Sequence, residues 1–415
     1  MALDRSYDVI VVGGGAVGCA VSRELADDHE ILVVERGEIG GGASGMAAGL
    51  TAPTLFAYDR PELARHANEF LREFSGTDGF EYDARPRLEL AYPDEEAVAR
   101  EQADRMASYG FPVSFVDSGT IAARHPALDV ERFAGAIEIA DAGFVDDTYV
   151  YTRSLARDAE SRGAEILTGV EVTGIATSDG SVVGVETPGG VIEAPHVVVA
   201  TGWHARELLS DVVHVPTRPF LLQAASVDLE RGFGPDAPLG RLPAEGVYFR
   251  PQHDGNLRLG GGEYLVDDPA DLAAGVEDAE RVGAAMNETG RTAQEVIANG
   301  IDDTFEEQLR EVAPLFVEEF SGPSEVEITA GWGSIDAATA DGDPIVDEPR
   351  DAPDGLIVST GFNGLGITKS PIAAAAVRSL VTGEDAPFDV EGFALDRRPD
   401  AVDFPLQDTF AMGRE

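Results

Sequence analysis

Two apolar runs near the N-terminus predict neighbouring buried strands. Tyr7–Val12 reads YDVIVV and Ile31–Glu35 reads ILVVE, and both are rich in β-branched residues without alternating polar positions. Strands of a parallel sheet that is covered on both faces have this pattern. Between them, Ala20, Val21 and Leu25 recur at helical spacing. The first 35 residues therefore predict a strand–helix–strand unit.

A glycine-rich turn joins the first strand to the helix. Residues 13–18 read GGGAVG and satisfy the pattern G-x-G-x-x-G. In such a turn Gly13 permits the tight bend, Gly15 lets the backbone approach a pyrophosphate, and Gly18 lets the helix pack closely on the strand. Ala16 and Val17 open the helix, whose free N–H groups and partial positive charge attract phosphate. The unit therefore predicts a nucleotide site.

The second strand ends on an acid, as dinucleotide-binding units commonly do. Glu35 can accept hydrogen bonds from a ribose hydroxyl. Arg36 follows it and could bind a 2′-phosphate, but an acid at the strand end disfavours that group. Both residues are therefore candidate contacts to the adenosine half of a dinucleotide.

A second glycine cluster follows where an NAD-binding domain would continue into further strand–helix units. Residues 36–50 read RGEIGGGASGMAAGL, with six glycines in fifteen residues. Such density is typical of backbone that lies against a ligand or of a loose loop. Ser44 can donate a hydroxyl hydrogen bond to a pyrophosphate, and Ala47, Ala48 and Gly49 are small enough to lie beside a flat ring system. The segment favours FAD over NAD.

A third candidate segment lies near the C-terminus. Leu356–Ser359 is an apolar strand, and residues 360–366 form a glycine-rich turn before a helix predicted from about Pro371. Backbone N–H groups and a helix N-terminus can stabilise negative charge on a reduced flavin. The candidate residues are Gly361, Asn363, Gly364, Leu365, Gly366, Ile367 and Thr368.

Shorter runs predict a second module inserted into the first. Candidate strands are Arg87–Ala91, Val113–Val116, Leu221–Val227, Tyr248–Arg250 and Leu257–Gly260, and candidate helices are Glu62–Phe74, Glu95–Tyr109 and Glu277–Ala298. We expect an α/β protein with a Rossmann-type FAD-binding domain and a discontinuous α+β substrate domain built on an antiparallel sheet. The first domain is predicted to comprise residues 1–55, 142–215 and 325–385, and the second residues 56–141 and 216–324. Residues 386–415 form a C-terminal tail.

Composition excludes several classes of function. The 415 residues carry 76 acidic against 30 basic side chains, a formal net charge of −46, and Lys369 is the only lysine. An acidic surface of this strength repels nucleic acid and anionic membranes, and it is typical of a halophile-type proteome. The single Cys19 excludes a disulfide within the chain and a multi-cysteine metal site, so no metal is expected. No run of 18 apolar residues predicts a membrane span, and we expect a cytoplasmic protein.

These segments together resemble the FAD-dependent D-amino acid oxidase superfamily, which includes glycine oxidase, sarcosine oxidases and dehydrogenases, and D-amino acid dehydrogenases. The likeness extends through Ala142–Asp146 (AGFVD), Val197–Gly202 (VVVATG), Val215–Gln223 (VPTRPFLLQ), residues 248–261 (YFRPQHDGNLRLGG) and residues 355–366 (GLIVSTGFNGLG). The resemblance implies that Val172, Thr201 and Gly202 also contact the cofactor. It implies non-covalent FAD, because Cys19 lies in the phosphate turn and no histidine lies in residues 36–56.

The resemblance also implies the chemistry. Members oxidise the C–N bond of a small amino acid or secondary amine by transferring a hydride to flavin N5, while the protein supplies position and electrostatics. The electron acceptor is O₂ or a redox partner, and a homo-oligomer is left open. Two alternatives stay open at this point: oxidation of a 2-hydroxyacid or glycerol 3-phosphate, and a flavin-carrying subunit of a larger complex.

A substrate carboxylate requires a cation, and cations are scarce in this chain. Lys369 follows the C-terminal glycine turn, at about the place where sarcosine oxidase has a carboxylate-binding lysine, and Arg250 in YFRP can grip a carboxylate with two N–H groups. Each could instead serve structure alone, Lys369 as a helix-start residue facing solvent and Arg250 in a surface salt bridge. Tyr248 could donate to the same carboxylate or simply pack.

One departure from the resemblance concerns substrate choice. Glycine oxidase-like members often carry an arginine before the Asp-Gly-x-Pro turn, whereas here Trp332 and Ser334 precede Asp341-Gly342-Asp343-Pro344. This favours a sarcosine- or dimethylglycine-like substrate over glycine or D-alanine. Trp332 is a candidate wall of the substrate site, with packing as the alternative.

Overall fold

Two large sheets organise the part of the chain that the computed structural model describes, which is residues 6–234, 236–266, 300–397 and 403–406. One sheet is mainly parallel and the other mainly antiparallel. The predicted fold class is confirmed, with a Rossmann-type layer and a separate antiparallel layer. The predicted helix Glu277–Ala298 lies outside the described residues.

The first sheet has six strands and carries the N-terminal unit at its centre. In spatial order the strands are Ile345–Asp347, Leu356–Thr360, His196–Val199, Val9–Val12, Ile31–Glu35 and Glu165–Thr168. Neighbours pair in parallel except for the first two, which are antiparallel. Val11 pairs with Val33 on one side and with Val198 on the other. The continuous apolar runs occupy the buried centre, as strands covered on both faces require.

Both faces of this sheet are covered, which explains the absence of polar alternation. Val9 and Val11 pack in one cluster with apolar residues of the helices Ala16–Leu25 and Gly366–Thr382. Ile10 and Val12 face the other way and pack against the three-stranded sheet of Gly174–Ser178, Ser181–Thr187 and Gly190–Glu193. A small sheet of Leu50–Thr51, Gly143–Val145 and Tyr82–Ala84 lies elsewhere in the fold.

The second large sheet has eight strands from widely separated parts of the chain. In spatial order they are Ile328–Ala338, Arg218–Val227, Leu257–Leu265, Val247–Pro251, Leu239–Leu242, Arg87–Ala91, Gly135–Ile139 and Val113–Asp117. Neighbours are antiparallel except Leu239–Leu242 with Arg87–Ala91. All five strands predicted for the substrate module are present in it. Its first strand, Ile328–Ala338, lies within the segment 325–385 that the sequence assigned to the first domain.

The helices connect and cover the sheets. The described α-helices are Ala16–Leu25, Ala43–Met46, Pro53–Ala57, Pro61–Phe74, Glu96–Ser108, Ser118–Arg124, Thr148–Ser161, Ala205–Leu208, Asp303–Val312 and Gly366–Thr382. Short 3₁₀ turns lie at Gly202–His204, Ala313–Leu315, Pro323–Glu325, Glu391–Phe393 and Leu395–Arg397.

The last helix begins earlier than the sequence predicted. It starts at Gly366 and contains Pro371, which cannot donate the N–H that the Ile367 carbonyl would accept. The Ser370 hydroxyl donates to that carbonyl at 3.0 Å instead. The prediction of a start near Pro371 was wrong, because a neighbouring side chain supplies the missing donor.

Candidate functional site

A cavity of about 960 Å³ lies between the parallel sheet and the eight-stranded sheet. All three glycine-rich segments open into it. The residues predicted to bind the cofactor that line it are Gly13, Gly15, Val17, Glu35, Arg36, Ser44, Ala47, Ala48, Gly49, Val172, Thr201, Gly202, Gly364, Leu365, Gly366, Ile367 and Thr368. Segments about 350 residues apart in sequence therefore meet at one hollow.

The first glycine turn is fixed by close backbone contacts. Gly13 has φ +110°, and a Cβ there would lie 2.5 Å from the carbonyl oxygen of Ala200. A Cβ on Gly18 would lie 2.0 Å from the Gly13 carbonyl oxygen, so Gly18 shapes the turn and does not face the cavity. The turn leaves the N-terminus of the first helix at the cavity, where its first N–H groups have no intrahelical acceptors.

Ala16 does not line the cavity either, but its N–H connects two glycine segments. It donates to the Ser44 hydroxyl oxygen at 2.9 Å. The second glycine segment is held in turn by Thr148, whose hydroxyl donates to the carbonyls of Gly45 at 3.2 Å and Ala47 at 3.3 Å. Ser44 thus lies directly at the N-terminus of the first helix.

The acid at the end of the second strand accepts two backbone hydrogen bonds. Glu35 Oε2 accepts from the Gly14 N–H at 2.6 Å and Oε1 from the Gly37 N–H at 2.8 Å. Nearby, an Arg36 guanidinium N–H donates to His204 Nε2 at 2.6 Å. Burial and the charge of Arg36 lower the pKa of His204 to about 4, so the imidazole accepts as a neutral base at pH 7.

The C-terminal turn presents Gly364 to Thr368 to the cavity, but two of its predicted contacts point elsewhere. Gly361 has φ +74°, and a Cβ there would lie 2.5 Å from the Thr339 side chain. Asn363 has φ +55°, and its amide donates to the Thr339 hydroxyl at 3.0 Å and the Gly361 carbonyl at 2.6 Å. Gly361 and Asn363 therefore shape the turn and do not line the cavity, and their contact with the ligand stays a prediction.

Asp336 is a cavity-lining acid that the sequence analysis did not single out. Its carboxylate accepts from the N–H groups of Gly364 and Ala337, each at 2.8 Å. Burial raises its pKa, and these two hydrogen bonds oppose the rise. The carboxylate thus ties the C-terminal turn to the strand Ile328–Ala338.

Tyr248 and Trp332 line the cavity from the eight-stranded sheet, as the predicted substrate wall requires. The Tyr248 ring lies over Gly260, where a Cβ would meet the ring at 2.1 Å. Burial raises the pKa of Tyr248, so its hydroxyl is a donor at neutral pH. Trp332 is buried and its indole N–H donates to the Met46 carbonyl at 2.8 Å.

Arg250 does not reach the cavity within the described part of the chain. It is fully buried and donates four hydrogen bonds: Nε to Ala48 O at 2.6 Å, one Nη to Asp146 Oδ1 at 2.6 Å and to Pro251 O at 2.8 Å, and the other Nη to Asp146 O at 3.0 Å. Burial would raise the pKa of Asp146, but Arg250 and its neighbours hold it below its ordinary value. Acceptors of the chain occupy its N–H groups, and its contact with the substrate stays a prediction.

Lys369 is also placed away from the cavity by the described structure. It is buried, and its ammonium donates to the carbonyl of Gly342 at 3.2 Å. The helix that starts at Gly366 turns this side chain towards the Asp341–Pro344 loop. The contact of Lys369 with substrate stays a prediction.

Sequence reasoning missed Arg87, which is buried and lines the cavity. It was seen only as the first residue of a strand. The signal was available in RPRLELA, because alternation along a strand puts Arg87 and Glu89 on one face and Leu88 and Leu90 on the other.

Residues 8–380 match the family described as FAD dependent oxidoreductase. The chain belongs to this family. Glycine oxidase of Geobacillus kaustophilus is 29% identical over 413 residues, which cover 95% of this chain and 98% of the relative. Sarcosine oxidase subunit beta of Rhizobium meliloti is 25% identical over 410 residues, which cover 94% and 88%. The crystal structure of glycine oxidase from Geobacillus kaustophilus matches with a TM-score of 0.73 and 26% identity, covering 94% of this chain and 99% of that one.

Membership of the family identifies the protein as an FAD-dependent oxidoreductase. The cavity has room for the FAD cofactor along its glycine-rich backbone. At Gly42, Gly202 and Gly366, which all line it, an added Cβ would meet no described chain atom within 4 Å. The backbone at these points leaves room for a ligand to lie directly against it.

Two further features bear on cofactors and membranes. Within the described residues no group of three or more His, Cys, Asp or Glu side chains is arranged to hold a metal ion. No helix of the described ranges is both long and apolar enough to cross a membrane. Cys19 is fully buried, and its pKa is raised by that burial and by Glu35.

Proposed function

We propose that this protein oxidises the C–N bond of a small amino acid or secondary amine of the sarcosine, dimethylglycine or D-amino acid type. The observation that carries the proposal is the joining of the glycine-rich segments and the Tyr248–Trp332 wall in one cavity. A dinucleotide held by the glycine-rich segments would have its ring end in front of Tyr248 and Trp332. The curated relatives support the same class, since their names include glycine oxidase and sarcosine oxidase subunit beta.

The bound FAD supplies a hydride acceptor at its N5 atom, and the chain supplies position and charge. We assign the pyrophosphate to the first helix N-terminus beside Ser44, since free N–H groups and the helix dipole favour phosphate there. Glu35 is assigned to the ribose of the adenosine half.

The ring end is assigned to the C-terminal turn. Gly364, Leu365 and Gly366 open the last helix beside the cavity, and its N-terminus favours negative charge on the reduced ring. Gly366 leaves open space in front of its backbone, which a flat ring can occupy.

The substrate is assigned to the opposite wall. Tyr248 presents a buried hydroxyl donor and Trp332 a buried aromatic face, and both keep water from the reacting carbon. Leu222 and Phe56 add apolar surface to this end of the cavity. Such a wall suits a small substrate with one polar end.

An anaerobic substrate panel tests this function. The FAD-loaded protein is mixed without oxygen with sarcosine, dimethylglycine, glycine, D-alanine, proline, 2-hydroxyacids and glycerol 3-phosphate, and flavin absorbance is followed. Bleaching by one or more amines supports the proposal. Bleaching by hydroxyacids or glycerol 3-phosphate alone replaces it with C–O oxidation, and no bleaching by either group favours a flavin-carrying subunit.

A second measurement decides the electron acceptor. After anaerobic bleaching, admission of O₂ reoxidises an oxidase within seconds and a dehydrogenase far more slowly. Reduction of an artificial electron-acceptor dye then distinguishes a dehydrogenase, which reduces the dye, from an inactivated protein, which does not.

A further inference from the structure

The cavity side of the eight-stranded sheet carries an unusual concentration of buried positive charge. Alternation along the strands places one set of side chains on the cavity face and the apolar Leu88, Leu90 and Phe249 on the other, in a separate core. The cavity-side set is Arg87, Glu89, Arg241, Tyr248, Arg250 and Arg258. Each of these four arginines is at most 4% exposed. In a chain with a net charge of −46, such burial of cations calls for specific partners.

Of these four arginines, Arg241, Arg250 and Arg258 do not line the cavity within the described residues. Arg250 is bound by Asp146 and by backbone carbonyls, as described above. Arg258 lies beneath the Trp332 ring, with its guanidinium carbon 5.0 Å from the ring centroid. Trp332 lines the cavity and Arg258 does not, so the Trp332 ring lies between Arg258 and the cavity.

Arg87 differs because it lines the cavity. It forms a buried ion pair with Glu89 of the same strand. Its Nε donates to Glu89 Oε1, and its guanidinium carbon lies 5.9 Å from the centroid of the Phe56 ring. Its Nη2 finds no hydrogen-bond partner in the described ranges of the chain. Phe56 and Tyr248, which line the same end of the cavity, flank it.

A buried guanidinium N–H without an acceptor is costly, and an anion is the ligand group that satisfies it best. A carboxylate matches the planar donor set of arginine. The neighbouring Tyr248 hydroxyl can donate to the same group. The other candidates for this role, Arg250 and Lys369, donate to groups of the chain instead.

We propose that Arg87 binds the carboxylate of the substrate, from the strand Arg87–Ala91 of the eight-stranded sheet. This inference rests on the proposed function, because it takes the cavity to hold an amino acid in front of the flavin. Its consequence is a substrate that enters with its carboxylate towards Arg87 and Tyr248 and its amine-bearing carbon towards the ring. Amines without a carboxylate should be poor substrates.

The test uses acetate, a carboxylate that cannot be oxidised as an amine, and acetamide as its neutral isostere. Each is titrated into the FAD-loaded protein while the flavin spectrum is recorded. We expect acetate to perturb the spectrum saturably and acetamide to do so at least about tenfold more weakly, because a hydrogen bond to a charged group contributes more than a neutral one. An acetate effect no greater than that of acetamide overturns the inference.

Two variants locate the effect. Arg87→Met should weaken acetate binding at least about tenfold and remove the preference over acetamide. Arg87→Lys, which keeps the charge but loses the planar donor pair, should fall between it and the wild type. Arg124→Met, which removes an exposed ion pair with Glu138, is the control and should bind acetate as the wild type does. If Arg87→Met does not retain FAD, the acetate affinity of Arg87→Lys alone decides whether Arg87 binds the carboxylate.

The two proposals fail in different ways. If an amine bleaches the flavin but neither Arg87 variant changes acetate affinity or the KM for that amine, the assignment of Arg87 is wrong and the function stands. If acetate binding depends on Arg87 but no amine bleaches the flavin, the anion site stands and amine oxidation is wrong. For an amine that does bleach it, the ratio of kcat/KM between the amino acid and its amide should fall towards one in Arg87→Met.

Discussion

Trp332 and Met46 lie 286 positions apart in sequence and are joined by a hydrogen bond of 2.8 Å from the indole N–H to the carbonyl oxygen. Met46 belongs to the second glycine-rich segment, and Trp332 belongs to an edge strand of the eight-stranded sheet. The bond therefore joins the second glycine-rich segment to the eight-stranded sheet. Both residues line the cavity, so its width depends on this contact.

Trp332→Phe should loosen that contact. Phenylalanine keeps an aromatic ring for Arg258 but leaves the buried Met46 carbonyl without its donor, which costs about 1–3 kcal/mol. We expect a lower free energy of unfolding and weaker FAD retention, measured by urea unfolding and by release of flavin fluorescence. Tyr109→Phe, at an exposed aromatic, is the control. Wild-type unfolding and flavin retention in Trp332→Phe would contradict the role given to this bond.

Gly366→Ala separates binding from folding. No described chain atom lies within 4 Å of the position of an added Cβ, so the apoprotein should fold normally. The methyl group projects where we assign the flavin ring, and we expect FAD affinity to fall at least about tenfold, which corresponds to about 1.4 kcal/mol. Gly322→Ala makes the same change where the space is equally open, but away from the cavity. Equal FAD affinity in the two variants would place the ring elsewhere.

Arg250→Met should act on stability and not primarily on substrate affinity. The change leaves the Asp146 carboxylate without its buried partner and frees three backbone carbonyls, and breaking a buried ion pair costs about 3–5 kcal/mol. Urea unfolding of the apoprotein measures the loss. An unchanged unfolding midpoint together with a raised KM would restore Arg250 as a substrate-binding residue.

His204 should make the protein sensitive to mild acid. Its pKa in the folded state is about 4 against an ordinary value of 6.5, so between these values the unfolded chain binds a proton that the folded chain does not. The contribution of the neutral His204 imidazole to the free energy of unfolding is therefore fully present above about pH 6.5 and declines as the pH falls towards 4.

The measurement compares His204→Gln with the wild type. Urea unfolding at pH 7 and at pH 5 should show a smaller acid-induced loss in the variant, because glutamine does not titrate. The difference between the two proteins removes the contribution of the many surface carboxylates. Equal losses in both proteins would show that the imidazole is not held neutral.

Much of the fold could be predicted because its signals are local. A run such as Ile31–Glu35 is apolar on both faces and ends as a strand at the residue predicted. The strand Arg87–Ala91 likewise has its predicted bounds. The last helix was misplaced because a Ser370 hydroxyl compensates for Pro371, a tertiary detail that propensity does not contain.

The glycine-rich segments that line the cavity could be predicted for the same reason, and the surroundings of the arginines could not. A glycine such as Gly18 is required by its contact with Gly13, within one strand–helix unit. Whether an arginine is available to a ligand depends on which acceptors surround it. Arg250 meets Ala48 and Asp146, which are 202 and 104 positions away in sequence.

The sequence by itself determined the class of this protein. The period of the apolar residues, the spacing of the glycines and the acid at the end of the second strand indicate a nucleotide-binding unit, because these features act through short-range steric contacts. Only the tertiary structure decided which groups surround the buried arginines. Arg87 and Arg250 are both strand arginines on one face of one sheet, and the sequence treats them alike. They differ because carbonyls as well as a carboxylate surround Arg250. Arg87 has the Glu89 carboxylate, keeps Nη2 without an acceptor among the described residues, and lines the cavity.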